Sequence, residues 1–190
     1  MKPDYQILPF KDAAAWRKWL VKNHSSADGV WIRIYKKTTG LPTVTYDQAL
    51  DDALCYGWID GQVKSYDEQS YIQKFTPRRK ASLWSKRNIE HIARLTAEGL
   101  MTPTGIAEVN RAKEDGRWDA AYDMPSQMSV PEDFLKELKK HPKANQFYQT
   151  LNKTNHYAIA WRLQTAKTTE TRDRRMAKII QTLQAEQKIV

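Results

Sequence analysis

Apolar residues recur at helical spacing early in the chain, then alternate, then return to helical spacing. In KDAAAWRKWLVKNH (11–24), Ala13, Trp16, Leu20 and Val21 fall near one face and Lys11, Lys18 and Lys22 on another. That spacing predicts an amphipathic helix. GVWIRIYKK (29–37) sets Val30, Ile32 and Ile34 against Trp31, Arg33 and Tyr35, the period of a strand. Gly40 and Pro42 break the chain there. Thr45 is then placed to cap a helix with Asp47 and Gln48 in its first turn, a stripe of Ala49, Leu50, Ala53 and Leu54, and Gly57 as terminator. WIDGQVKSY (58–66) and SYIQKFT (70–76) read as two strands of a hairpin joined across Asp67, Glu68 and Gln69.

From Ser82 onward the pattern is helical. It predicts helices over 82–98, 102–115, 131–140, 143–151, 154–166 and 169–187, punctuated by Gly99, Gly116, Pro125, Pro131 and Pro142. The fold class is therefore α+β: a small antiparallel sheet with helices in the N-terminal half and an all-helical C-terminal half. An α+β domain over 1–115, a connection over 116–125 and a helical domain over 126–190 follow. The final helix is amphipathic through Met176, Ile179, Ile180 and Leu183, and its N-terminal arginines are expected to pair with acidic groups elsewhere in the fold.

Composition narrows the picture. Seven Trp, nine Tyr and four Phe in 190 residues argue for a folded chain. The single cysteine, Cys55, excludes an internal disulfide framework and a cysteine-based zinc site, and fits a reducing compartment. The start, MKPDYQILPF, lacks the apolar region of a signal peptide, and the longest nearly apolar run, ALCYGWI, has seven residues where a membrane span needs about 20. The expectation is a soluble, cytoplasmic protein with no membrane insertion.

The net charge of +9 is clustered. Lys74 to Arg94 holds seven cations and one anion, a balance of 7 − 1 = +6. Such a window favours acidic partners. Within it, FTPRRKASLWSKRN (75–88) places five cations and two aromatic rings in fourteen residues. With Ser82 as a helix cap, Lys86, Glu90, Arg94 and Glu98 form a self-neutralising ladder on the helix surface. Arg78, Arg79 and Lys80 then stand between a strand end and a helix N-terminus, where free N–H groups and the helix dipole suit an anion. A forked contact from either arginine fits that reading. The rival is an internal salt bridge to Asp60 or Asp67. The candidate binding residues are Arg78, Arg79 and Ser82, walled by Trp58, Asp60, Tyr66 and Trp84.

Other chemistry is thinner. Asp47, Asp51, Asp52 and Asp60 cluster, but Asp47 and Asp51 at i, i+4 read as a solvated helix face. Cys55 has apolar neighbours, and His24, His91, His141 and His156 stand in separate elements without metal-ligand spacing. No Walker loop, dinucleotide glycine signature or nucleophile elbow is present. No cofactor or metal is expected. The partner is a small anionic ligand or an acidic protein; the alternative is nucleic acid stacked on Tyr66, Tyr71, Phe75 and Trp84 within the basic region.

CYGWIDG (55–61), FTPRRKASLWSKRN (75–88) and AKTTETRDRR (166–175) resemble segments of the YdeI/OmpD-associated family, also labelled bacteriocin-protection proteins. FLKELKKHPKANQFYQTL with AKTTETRDRR resembles its helical OmdA domain. The resemblance implies a link to envelope stress or antimicrobial-peptide resistance and carries over no catalytic residue. A non-enzymatic accessory protein is the expectation.

Overall fold

A computed structural model describes residues 5–124 and 127–189. These fall into two compact units that divide between Ala121 and Tyr122. Pro125, expected to end a connection, lies outside the described residues.

The first unit runs β1 (Ile7–Pro9), α1 (Ala13–Asn23), β2 (Val30–Tyr35), a 3-10 turn (Lys37–Thr39), α2 (Tyr46–Cys55), β3 (Trp58–Ser65), β4 (Ser70–Pro77), α3 (Lys86–Ala97) and α4 (Pro103–Glu114). Its sheet has the order β1-β2-β4-β3. β2–β4 and β4–β3 are antiparallel, while β1 joins β2 in parallel, so the sheet is mixed and not the antiparallel one expected. The three residues of β1 are too few to show a period, and Pro9 at its end has no N–H for a further ladder bond.

Period-2 alternation decides what the sheet buries. Val30, Ile32, Ile34 and Phe75 join residues of all four helices in one core with Trp16, Leu20, Leu50, Leu54, Trp58, Trp84, Ile92 and Val109. Two indole N–H groups are satisfied there, Trp16 on the Ala49 carbonyl at 3.1 Å and Trp58 on that of His24 at 3.0 Å. Thr45 caps α2 as expected and forms a capping box with Gln48, and Gly57 beyond its end adopts φ +73°, a conformation that favours glycine.

α3 begins four residues later than the pattern suggests. Its cap is Ser85, whose hydroxyl accepts from the Asn88 N–H at 3.1 Å, whereas Ser82 accepts from the Arg79 N–H at 3.0 Å and closes a turn before the helix. Trp84, just before this cap, is buried. The stretch expected to connect two domains starts on the first unit's surface. Arg117 is buried and donates to the Ser82 carbonyl at 2.9 Å, and the Trp118 ring lies 5.0 Å from that of Trp84.

The second unit contains α5 (Glu132–Leu138), α6 (Pro142–Tyr148), α7 (Lys153–Gln164) and α8 (Thr169–Gln184). Phe134, Leu138, Ala144, Ile159, Leu163, Ile179, Ile180 and Leu183 form its core. Arg172 of α8 pairs with Asp133 of α5 at 2.5 Å, one of the internal pairings anticipated for that arginine-rich helix start.

Candidate functional site

The residues proposed from the sequence part company. Arg78 is 6% exposed, with its guanidinium 3.5 Å over the Trp84 ring and Nη1 donating to the Leu83 carbonyl at 3.2 Å. It faces inward. Arg79 and Lys80 are exposed, and Ser82 is bound to the Arg79 backbone. Trp58 belongs to the core, opposite Pro77 in the ladder. Asp60 accepts from the Tyr46 hydroxyl at 2.9 Å. Tyr66 follows Ser65, which pairs with Tyr71 at the far end of the hairpin from Trp58. At about 3.3 Å per residue it is roughly 20 Å from the Arg78 turn. Tyr66 is therefore removed from the expected cluster.

On the acidic face of α2, Asp47 is exposed as expected, while Asp51 is half-buried and Asp52 buried. Asp47 pairs with Arg87 at 3.0 Å; Asp51 takes both His91 and Arg94 at 2.6 Å; Asp52 takes Arg17 at 2.5 Å. Carboxylates at i, i+4 on α2 meet Arg87, His91 and Arg94 at i, i+4, i+7 on α3, so two arginines of the basic window are neutralised by the fold. Arg94 also reaches Glu98, as the ladder predicts. Burial pushes the Tyr46 phenol upward, helped by the Asp60 carboxylate, and burial pushes the Cys55 thiol up to about 11. A thiol so shifted is a poor nucleophile at neutral pH. Among the described residues no group of three or more His, Cys, Asp or Glu is placed to hold a metal, and no helix is long and apolar enough to cross a membrane.

The residues that gather chemistry lie on the sheet face opposite the core. Trp31, Arg33 and Tyr35 share that face by alternation, with Lys74, Ile72 and Ser70 directly across in β4 and Lys64 beyond Ile72 in β3. Lys64 and Lys74 place their ammonium groups 4.8 and 5.7 Å from the Trp31 ring. The Arg33 guanidinium lies 4.7 Å from the Tyr35 ring and 5.0 Å from that of Tyr66. It is fixed by bonds to the Ser70 hydroxyl at 2.9 Å and to Asp67 at 2.6 Å. Asp67 in turn accepts from Ser70, whose hydroxyl bond chiefly holds that carboxyl below its usual range. Tyr66 is 48% exposed, and Trp31 is covered at 8%. The result is a row of rings, each under a cation.

Sequence reasoning singled out Tyr66 and Lys74 but not Trp31, Arg33, Tyr35 or Lys64. The signal was present: the second face of GVWIRIYKK is aromatic, cationic, aromatic.

The chain thus combines a mixed-sheet unit bearing an aromatic, cationic face with a separate helical unit. Residues 8–108 match the model of a domain of unknown function, DUF8412, and residues 127–186 match the model described as Bacteriocin-protection, YdeI or OmpD-Associated. The chain belongs to the DUF8412 family through its sheet unit, and its helical unit is an OmdA domain, as AKTTETRDRR indicates. No curated protein and no solved structure matches it.

Proposed function

We propose that this chain is a non-enzymatic binding protein that holds single-stranded nucleic acid on the outer face of its sheet. The observation that carries the reading is the row Trp31, Arg33, Tyr35 and Tyr66 with Lys64 and Lys74 above it. Each exposed cation–ring contact contributes about 0.5–1 kcal/mol, whereas stacking one base on an aromatic ring contributes about 1–3 kcal/mol. A base stacked on Tyr66, the exposed ring at 48%, therefore gains more than the Arg33 contact it competes with. Lys64 and Lys74, on flexible stems beside the covered Trp31 ring, turn their ammonium groups to the backbone phosphates. Arg33, pinned by Ser70 and Asp67, stays in place as a flat guanidinium surface between two tyrosines. An anion at the Arg78–Ser82 turn is the weaker reading, because Arg78 faces Trp84 and of the turn's three cations Arg79 and Lys80 are the exposed ones.

Fluorescence anisotropy with labelled single-stranded DNA and RNA of about ten nucleotides tests the assignment. Binding at low salt that weakens about tenfold or more in Tyr66→Ala and in Lys64→Ala/Lys74→Ala, with Arg79→Ala/Lys80→Ala close to the parent, supports it. The reverse ranking moves the site to the turn. No binding at low salt removes the function.

A further inference from the structure

In the helical unit, α7 and α8 border a groove of about 300 Å³ walled by Trp161, Arg162, Arg175, Lys178, Ile179 and Thr182. No carboxylate of the described residues lines it. Arg175 is held by the end of α7: Nη1 donates to the Arg162 carbonyl at 2.7 Å and to the Thr165 hydroxyl at 3.2 Å. The Arg162 carbonyl lies in the last turn of α7, where helix carbonyls lack intrahelical partners, so this bond both caps the helix and immobilises the guanidinium. With Nη1 engaged, the opposite edge of the fork, Nε and Nη2, retains the geometry that meets two oxygens of one oxyanion. Lys178 stands one turn along α8, exposed. Trp161 is half-buried and set edge-on to Tyr122, with ring centroids 6.3 Å apart, so its plane is fixed beside Ile179.

We propose that this groove binds a small organic oxyanion, its phosphate or carboxylate head between Arg175 and Lys178 and its apolar body against Trp161 and Ile179. The volume sits at the lower end of the range for small-molecule pockets, which fits a compact ligand and not a polymer. The apolar wall distinguishes the site from a bare cation patch, which takes inorganic ions equally well. The inference concerns the second unit alone and does not depend on the reading of the sheet face.

The test is an NMR titration of the full chain, following the Trp161 indole N–H and the Arg175 Nε–H, with phenyl phosphate, benzoate, inorganic phosphate and phenol as probes. Phenyl phosphate should shift both signals saturably, inorganic phosphate should bind about tenfold more weakly, and phenol should leave the Arg175 signal unmoved. Benzoate matching phenyl phosphate assigns the head to oxyanions in general; benzoate failing assigns it to phosphate. Lys178→Gln, at an exposed position, should weaken phenyl phosphate about tenfold with an unchanged melting temperature. The proposal is overturned by unmoved Trp161 and Arg175 signals, by inorganic phosphate binding as tightly as phenyl phosphate, or by Lys178→Gln binding like the parent.

Discussion

Arg78 carries its guanidinium 3.5 Å above the Trp84 ring, and both side chains are closed to solvent. A desolvated contact of this kind contributes about 2 kcal/mol or more, and the arginine stem adds packing. Arg78→Ala should lower unfolding stability by about 2–4 kcal/mol, read from urea denaturation. Oligonucleotide affinity of the folded variant should stay close to the parent. A variant as stable as the parent but defective in anion binding would return Arg78 to the ligand site.

Gly105 sits in the first turn of α4, where a Cβ would overlap the Cys55 carbonyl at the end of α2. Two effects oppose each other in Gly105→Ala. Helix propensity favours alanine by about 1 kcal/mol. The clash is with backbone, which cannot swing aside, and overpacking costs about 1–3 kcal/mol. The clash should win, giving a net loss of up to about 2 kcal/mol in thermal or urea unfolding. A stabilised variant would mean that α4 shifts freely on α2.

Cys55 and Tyr46 make the same prediction about pH. Burial raises both groups, the thiol from 9.0 to about 11, so the fold favours their neutral forms. That contribution is fully present below the unfolded-state value and is lost as pH rises through the folded one. Stability should therefore fall between about pH 9 and 11 by the thiol's titration, and Cys55→Ala should flatten part of that decline. At neutral pH the native thiol should resist a disulfide reagent until denaturant is added. Prompt labelling of the native protein would contradict its burial.

Salt provides a separate check on the sheet face. Single-strand binding that engages three or four phosphates through Lys64, Lys74 and their neighbours should give a log–log salt slope of roughly −2 to −3. Lys64→Ala should reduce the slope by about 0.7, while Tyr66→Ala should lower affinity at every salt concentration and leave the slope unchanged.

Much of this architecture is legible in one dimension. The helix cap at Thr45, the terminator Gly57 and the hairpin around Asp67 are local signals that the structure uses as they stand. What escaped depends on partners distant in sequence. Asp47 and Asp51 have the spacing of a solvated face, and only the packing of α3 brings Arg87, His91 and Arg94 against them, some 40 residues away. Ser82 and Ser85 are equivalent caps by type, and the helix starts at the second, just after the buried Trp84. Clustering of cations along the chain marked 74–94, yet the face that collects rings and charges draws on three strands: Trp31, Arg33 and Tyr35 from β2, Ser70 and Lys74 from β4, and Lys64 from β3.

The six tryptophans from Trp16 to Trp118 all lie in the sheet unit, and Trp161 alone lies in the helical one. Intrinsic emission is consequently dominated by the first unit, and unfolding of the second can pass nearly unseen in a fluorescence melt. Replacing Trp161 with phenylalanine and subtracting the two spectra isolates a single-residue optical reporter, native to the molecule and seated in the wall of the α7–α8 groove.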